Sequence, residues 1–208
     1  MWQWIEKGGP VMIPIILCSV VTLTIIVERF IFYHSRIRFD TQALLEKILG
    51  YVRKNRITEA IDLCEKNPYY VTNILKAGLL HHEDSRDIVK DAMENVSLYE
   101  IPKLEQNISF LGAIASLAPL LGFLGTAVGF LRCFYVIEKK LGIATFADLS
   151  MGIWEALVTT VFGLCVAIFS YSAYRYFLHR VGLYMLDAQR AESELLEVLA
   201  QRKYVNEV

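Results

Sequence analysis

One carboxylate stands inside an apolar run. In Asp148-Leu-Ser-Met-Gly-Ile-Trp-Glu-Ala-Leu-Val-Thr-Thr-Val-Phe-Gly-Leu-Cys-Val-Ala-Ile-Phe-Ser170, Glu155 is followed by no charged residue until Arg175. At about 1.5 Å per residue the run is long enough to cross a hydrocarbon core. A charged side chain near the bilayer centre costs on the order of 2.5–3.5 kcal/mol on insertion scales, so an ionisable residue there is by default a functional candidate. The plainer alternative is that Glu155 lies close enough to the helix start to reach the headgroups. At 100° per residue Gly152, Glu155, Ala156, Thr159, Gly163, Ala167 and Ser170 share one broad face, with Thr160 at its edge. A carboxylate beside hydroxyls can take up a proton, or offer oxygen ligands to a desolvated sodium ion. Threonines in membrane helices also bond their own backbone carbonyls, and Thr159 and Thr160 each have that second reading.

A second uncharged stretch, Ile108 to Leu131, faces this one across a short connection. Its small residues Gly112, Ala115, Pro119, Gly122, Thr126 and Gly129 recur at steps of three and four, and Gly125 with Gly129 forms a small-xxx-small pair. Such faces let helix backbones approach closely in lipid, where hydrophobicity does not drive association. Close packing and a pore wall of little bulk are both consistent with Pro119, Gly122, Gly125, Gly129, Gly152 and Gly163. If the hairpin is symmetric about Gly142, Gly129 is level with Glu155, Thr126 with Val158 and Thr159, and Arg132 with Gly152, to within about one turn. Arg132 is then a candidate counter-charge for Glu155.

These two helices need a third and a polar body. The 208 residues are 55% hydrophobic and 21% charged with a net charge of −1, and the mean hydropathy is +0.40. That mixture describes a membrane protein with a sizeable polar part, and it gives nucleic acid no basic surface. The order expected is an interfacial segment (1–10) with Trp2 and Trp4 at the membrane surface, a first transmembrane helix (11–33), a cytosolic helical domain (34–107), a second span (108–136), a periplasmic connection (137–147), a third span (148–177) and a cytosolic C-terminal helix (178–208). The first apolar run lacks a basic n-region and a small-residue cleavage site, and is read as a retained anchor. The fold class expected is an all-α membrane protein, with three transmembrane helices and long helices extending into the cytosol.

Within the polar part, Leu44, Leu45, Ile48, Leu49 and Val52 recur at helical spacing, Ile57–Leu63 repeats the pattern, and Asn67-Pro68 breaks it. Val71–Leu80 is a further helix, His81 to Ser85 a turn, and a long helix follows, with Ile88, Ala92, Val96 and Tyr99 as an apolar stripe that Leu104 and Ile108 carry on; Pro102 is its sole interruption before the membrane, and one proline can kink a helix without ending it. Val181, Met185, Ala188, Ala191, Leu195 and Leu199 give the last helix an apolar stripe, and Tyr174, Tyr176 and Tyr184 suit the interface. Basic residues flanking the spans favour an N-terminus outside and a C-terminus inside. Cys18, Cys64, Cys133 and Cys165 form no Cys-x-x-Cys pair, and adjacent His81 and His82 diverge on any regular element, so no metal site and no cofactor is expected. No phosphate-binding glycine loop and no nucleophile triad is present, so an enzyme is not the reading; energy must come from an ion gradient.

Ala118-Pro-Leu-Leu-Gly-Phe-Leu-Gly-Thr-Ala-Val-Gly129 and Gly152-Ile-Trp-Glu-Ala-Leu-Val-Thr-Thr-Val-Phe-Gly-Leu164, supported by Met12-x-Pro-Ile-x-x-Cys-Ser19, Glu28-Arg29 and Ala60-Ile-Asp-Leu-Cys64, resemble the MotA/TolQ/ExbB proton-channel family, most closely its ExbB/TolQ branch. The resemblance runs over nearly the whole chain in the same order. It implies a homo-oligomer, a pentamer in that family, in the bacterial inner membrane. Helices two and three of each copy would line a pore holding the single span of an ExbD- or TolR-like partner. Proton-motive force would drive work passed to a TonB- or TolA-like protein. Glu155 matches the family's helix-three glutamate, Thr126 its helix-two threonine, Thr160 its helix-three threonine and Pro119 the helix-two proline. The family's main titrating aspartate lies on the partner, which would make Glu155 a gate or counter-charge. Phe169-Ser170 replaces a small-Pro pair, which implies a straighter third helix, and the short N-terminal stretch implies little periplasmic domain. Two other readings stand beside the motor subunit: a non-conducting membrane scaffold in which Glu155 pairs with Arg132, and a passive ion channel.

Overall fold

A computed structural model describes residues 8–36 and 41–206, and side chains for 8–33 and 42–202. Trp2 and Trp4 lie outside the described residues. Among the described residues seven helices follow one another: α1 (Met12–Arg36), α2 (Thr41–Arg53), α3 (Ile57–Lys66), α4 (Tyr70–Leu80), α5 (Arg86–Glu105), α6 (Ile108–Lys139) and α7 (Phe146–Asn206). No strand occurs among the described residues. Three helices contain stretches long and apolar enough to cross a membrane: Met12–Tyr33, Ile108–Lys139 and Phe146–Arg202. The protein is thus an all-α, multi-pass membrane protein. Pro14 falls in the first turn of α1, where a missing N–H breaks no helical bond. α7 runs unbroken through Phe169-Ser170 and is 61 residues long.

The described residues divide into two compact units. One takes those up to Phe30 with Asn107–Phe177, the other Ile31–Gln106 with those from Leu178 onward. In the first unit the start of α1 packs on the hairpin of α6 and α7 through Val11, Ile15, Ile114, Ala118, Val166 and Ala167. Thr22 and Ser170 hydroxyls meet at 3.3 Å, and Ser170 donates to the Leu111 carbonyl at 3.0 Å. The outward faces stay apolar, as lipid or a protein neighbour requires: Leu17 and Leu23 on α1, Phe123 and Leu131 on α6, Leu157 and Ile168 on α7 are all exposed. The hairpin turn is held by Leu141 and Gly142 in the left-handed region and by Thr145 N–H donating to Asp148 Oδ2 at 2.9 Å, with Lys140 on Asp148 at 2.5 Å.

The second unit buries an apolar core drawn from α2 to α5 and the end of α7, centred on Ile48, Val52, Ile74, Leu75, Leu79, Met93 and Leu195. The stripe Val181, Ala188, Ala191, Leu195 and Leu199 lies inside, with Met185 half-buried. Three expectations change. Ile88 and Tyr99 are exposed, and α5 turns Val89 and Met93 inward, one residue out of phase with the start of the stripe read from sequence, whereas Leu104, which continues that stripe, is buried as expected. Tyr184 is buried instead of interfacial, its ring 5.8 Å from those of Tyr33 and Tyr70. Pro102 does not interrupt α5; the helix ends after Glu105, and Asn107, at φ +63, separates it from α6. Asparagine tolerates the left-handed region better than most residues, so the break falls there.

Candidate functional site

The helix α7 face predicted from spacing is the face that is buried. Gly152, Glu155, Ala156, Thr159, Gly163, Ala167 and Ser170 are all inaccessible, and Thr160 is half-buried at the edge. Opposite lie the glycines of α6. A Cβ placed on Gly163 would stand 2.6 Å from the Ala118 carbonyl oxygen and 3.0 Å from Gly122 Cα. One on Gly129 would stand 2.5 Å from the Gly152 oxygen, and one on Gly152 2.6 Å from Cys133 Sγ. Gly122 meets the backbone of Thr159 and Thr160, and Gly125 leaves room for the Thr159 side chain. The glycines therefore form a tight backbone-to-backbone seam, and its depth pairing agrees within a turn with the symmetric-hairpin estimate. Pro119, half-buried, sits on α6 without breaking it.

The seam encloses two polar pairs. The Thr126 and Thr160 hydroxyls are 2.5 Å apart, and Thr160 also reaches the carbonyls of Gly122 at 3.1 Å and Ala156 at 3.0 Å. Thr126 reaches the Gly122 carbonyl at 3.2 Å. Thr159 donates to its own helix, with the Glu155 carbonyl at 2.9 Å, so its hydroxyl adds nothing to a shared polar surface. The carboxylate of Glu155 is 1% exposed. Its Oε2 is bonded by Arg132 Nη1, while the Arg132 side chain is 43% exposed. Its Oε1 is buried and has no hydrogen-bond partner among the described residues.

Sequence reasoning thus placed Glu155, Thr126, Thr160 and Arg132 together, and the structure brings them together in two pairs. One neighbour escaped it: Gly9, at φ +65, lies directly against Glu155 Oε1. Elsewhere on α1, Arg29 is 3% exposed and donates to Glu28 at 2.9 Å, while Asn107 holds the other Glu28 oxygen at 3.0 Å. Gly9 lies in the stretch read from sequence only as part of an interfacial segment, and nothing in its local pattern pointed to a residue on the third span. Among the described residues no group of three or more His, Cys, Asp or Glu is arranged for a metal ion.

A multi-pass membrane protein with a glycine-seamed helical hairpin and one enclosed, arginine-paired carboxylate defines a narrow class. Residues 67–190 match the model of the MotA/TolQ/ExbB proton channel family, and the chain belongs to that family. Over 172 residues it is 32% identical to a Synechocystis protein named for its likeness to the biopolymer transport protein ExbB (ExbB-like 1), covering 81% of this chain and 67% of that one. An ExbB homolog of Methanothermobacter thermautotrophicus is 27% identical over 179 residues, 86% of this chain and 63% of that protein. The Tol-Pal system protein TolQ of Haemophilus influenzae is 31% identical over 120 residues, 56% of this chain and 52% of TolQ.

Proposed function

We propose that this chain is the pore-forming stator subunit of a proton-driven motor in the bacterial inner membrane, with its N-terminus periplasmic and its C-terminus cytoplasmic. It works as a homo-oligomer, a pentamer by the family's pattern, around the single span of an ExbD- or TolR-like partner. The work passes to a TonB- or TolA-like protein that energises outer-membrane transport or envelope maintenance. The observation that carries the reading is Glu155: a carboxylate inside a membrane span, buried, with one oxygen on Arg132 and the other without a hydrogen-bond partner among the described residues. A charge kept in so costly a place argues for use. Thr126 and Thr160, hydrogen-bonded one to two turns deeper, extend a polar track along the same seam. Thr159 contributes bulk at Gly125 more than a hydroxyl.

One observation favours a second reading. The Arg132 to Glu155 ion pair fits a non-conducting scaffold in which the two residues only hold the hairpin together. Gradient-driven transport in cells carrying Glu155→Gln separates the two. The motor reading expects loss of work with normal assembly, unrescued by removing Arg132. The scaffold reading expects rescue when Arg132 is replaced as well. Full work by Glu155→Gln alone excludes the role assigned to the carboxylate. A passive channel would leak protons when this chain is expressed without a partner, and the motor subunit is expected not to.

A further inference from the structure

The bare oxygen of Glu155 has a specific cover. The Gly8-Gly9-Pro10 turn precedes α1 and is tied to it by Met12 N–H to the Gly9 carbonyl at 3.2 Å and Ile13 N–H to the Pro10 carbonyl at 3.3 Å. A Cβ on Gly9 would collide with Glu155 Oε1 and stand 2.6 Å from the carboxyl carbon. Gly9 is also in the left-handed region, at φ +65. Glycine is thus required there twice, for the backbone conformation and for the approach. Gly8 is fitted to a different neighbour: its Cβ would meet Met12 Sδ at 3.2 Å.

We infer that the Gly8-Gly9-Pro10 turn is a lid on Glu155, seated by Gly9, which closes the carboxylate's one uncommitted oxygen on the side of the α1 N-terminus. The inference deepens the motor reading of Glu155 and rests on it. With Oε2 committed to Arg132, Oε1 is the atom left to meet whatever reaches the carboxylate. A lid of bare backbone brings no side-chain donor to compete for that atom, and while seated it keeps bulk solvent away. Gly9 is a positioning residue here: it sets access to the carboxylate and supplies no group to it.

The test is labelling of Glu155 by dicyclohexylcarbodiimide, which attacks protonated carboxyls in apolar surroundings. It is read by mass spectrometry on the full-length assembled protein in membrane vesicles. Gly9→Ala is expected to raise the labelling rate about fivefold or more, and Gly9→Asn, which tolerates the left-handed backbone, to raise it as well. Gly182→Ala, with nothing near its added methyl, is expected to label like the parent. Assembled Gly9→Ala and Gly9→Asn proteins that label at the parent rate overturn the lid. If Gly9→Ala does not assemble, Gly9→Ala/Glu155→Ala is expected to restore assembly, because the obstructing carboxylate is gone; a double variant that stays unassembled overturns the lid, leaving Gly9 a purely conformational requirement. Loss of gradient-driven work in Glu155→Gln together with parental labelling in the Gly9 variants removes the lid alone. Full work by Glu155→Gln removes the motor reading, and the lid with it.

Discussion

Replacing Arg132 with Met and Glu155 with Gln should have very unequal costs, although the two side chains form one ion pair. The asymmetry comes from burial: the Arg132 side chain is 43% exposed and that of Glu155 1%. Removing Arg132 strands a carboxylate whose second oxygen is already bare. Breaking a buried pair in this way costs roughly 3–5 kcal/mol, and the lower end applies because one partner is half in contact with the surroundings. Removing the negative charge leaves an arginine that solvent or headgroups can serve, a loss of about 1 kcal/mol or less, as for surface pairs. Arg132→Met should therefore shift the unfolding equilibrium about a hundredfold, at about 1.4 kcal/mol per tenfold, and Glu155→Gln less than about tenfold. Arg132→Met/Glu155→Gln should fall within about 1 kcal/mol of Glu155→Gln alone, since no stranded charge remains. Stepwise addition of sodium dodecyl sulfate to the protein in mild detergent, followed by far-ultraviolet circular dichroism, measures all three. Equal losses for the two single variants, or an additive double variant, refute the argument that burial sets the cost.

Four other outcomes follow. Gly163→Ala forces α6 and α7 apart against backbone atoms 2.6–3.1 Å away and should cost about 1–3 kcal/mol, whereas Gly182→Ala should gain about 0.5–1 kcal/mol; the same detergent titration compares them. Thr126→Val and Thr160→Val should each lose about 1 kcal/mol, and the double variant should lose less than the sum, because one hydroxyl pair is shared. Met93→Ala in the second unit should cost about 2–5 kcal/mol, read by thermal unfolding, since Met93 is fully buried and packs where Gly78 leaves room. Burial pushes the Cys64 thiol up to about 11 from 9.0, the Lys76 charge opposing it only in part. A thiol raised on folding costs nothing below about pH 9 and destabilises the fold as pH rises from about 9 to about 11; Cys64→Ala should flatten the fall in midpoint over that window. The folded Cys64 should also resist maleimide at pH 8, checked by mass spectrometry.

Where helical spacing carried the information, the sequence was a good guide. The seven-residue face of α7 from Gly152 to Ser170 needed only 100° per residue, and every member of it is buried. The register of α6 on α7 followed from one short turn and equal rise, so Thr126 meets Thr160 and Arg132 meets Glu155. The reading of α5 was weaker because its apolar signal is thin: two adjacent candidate stripes differ by one residue, and only packing chose Val89 and Met93 over Ile88 and Tyr99. Tyr184 read as interfacial because a tyrosine near a span usually is; its burial depends on Tyr33 and Tyr70, both distant in the chain.

By itself the sequence determined the helices, the three apolar spans, the glycine faces and the presence of one carboxylate within a span. These are local quantities, set by composition and period. The tertiary structure decided what the carboxylate faces. Side chains on one helix turn know their angle but not their neighbours across a gap, and a bundle of three helices has several ways to fill it. The packing of α1 brought Gly9 onto Oε1, and the seam of α6 and α7 left Oε2 to Arg132. An acid for which the sequence supplied a depth and a candidate counter-charge thus acquired, through those two contacts, one committed oxygen and one covered one.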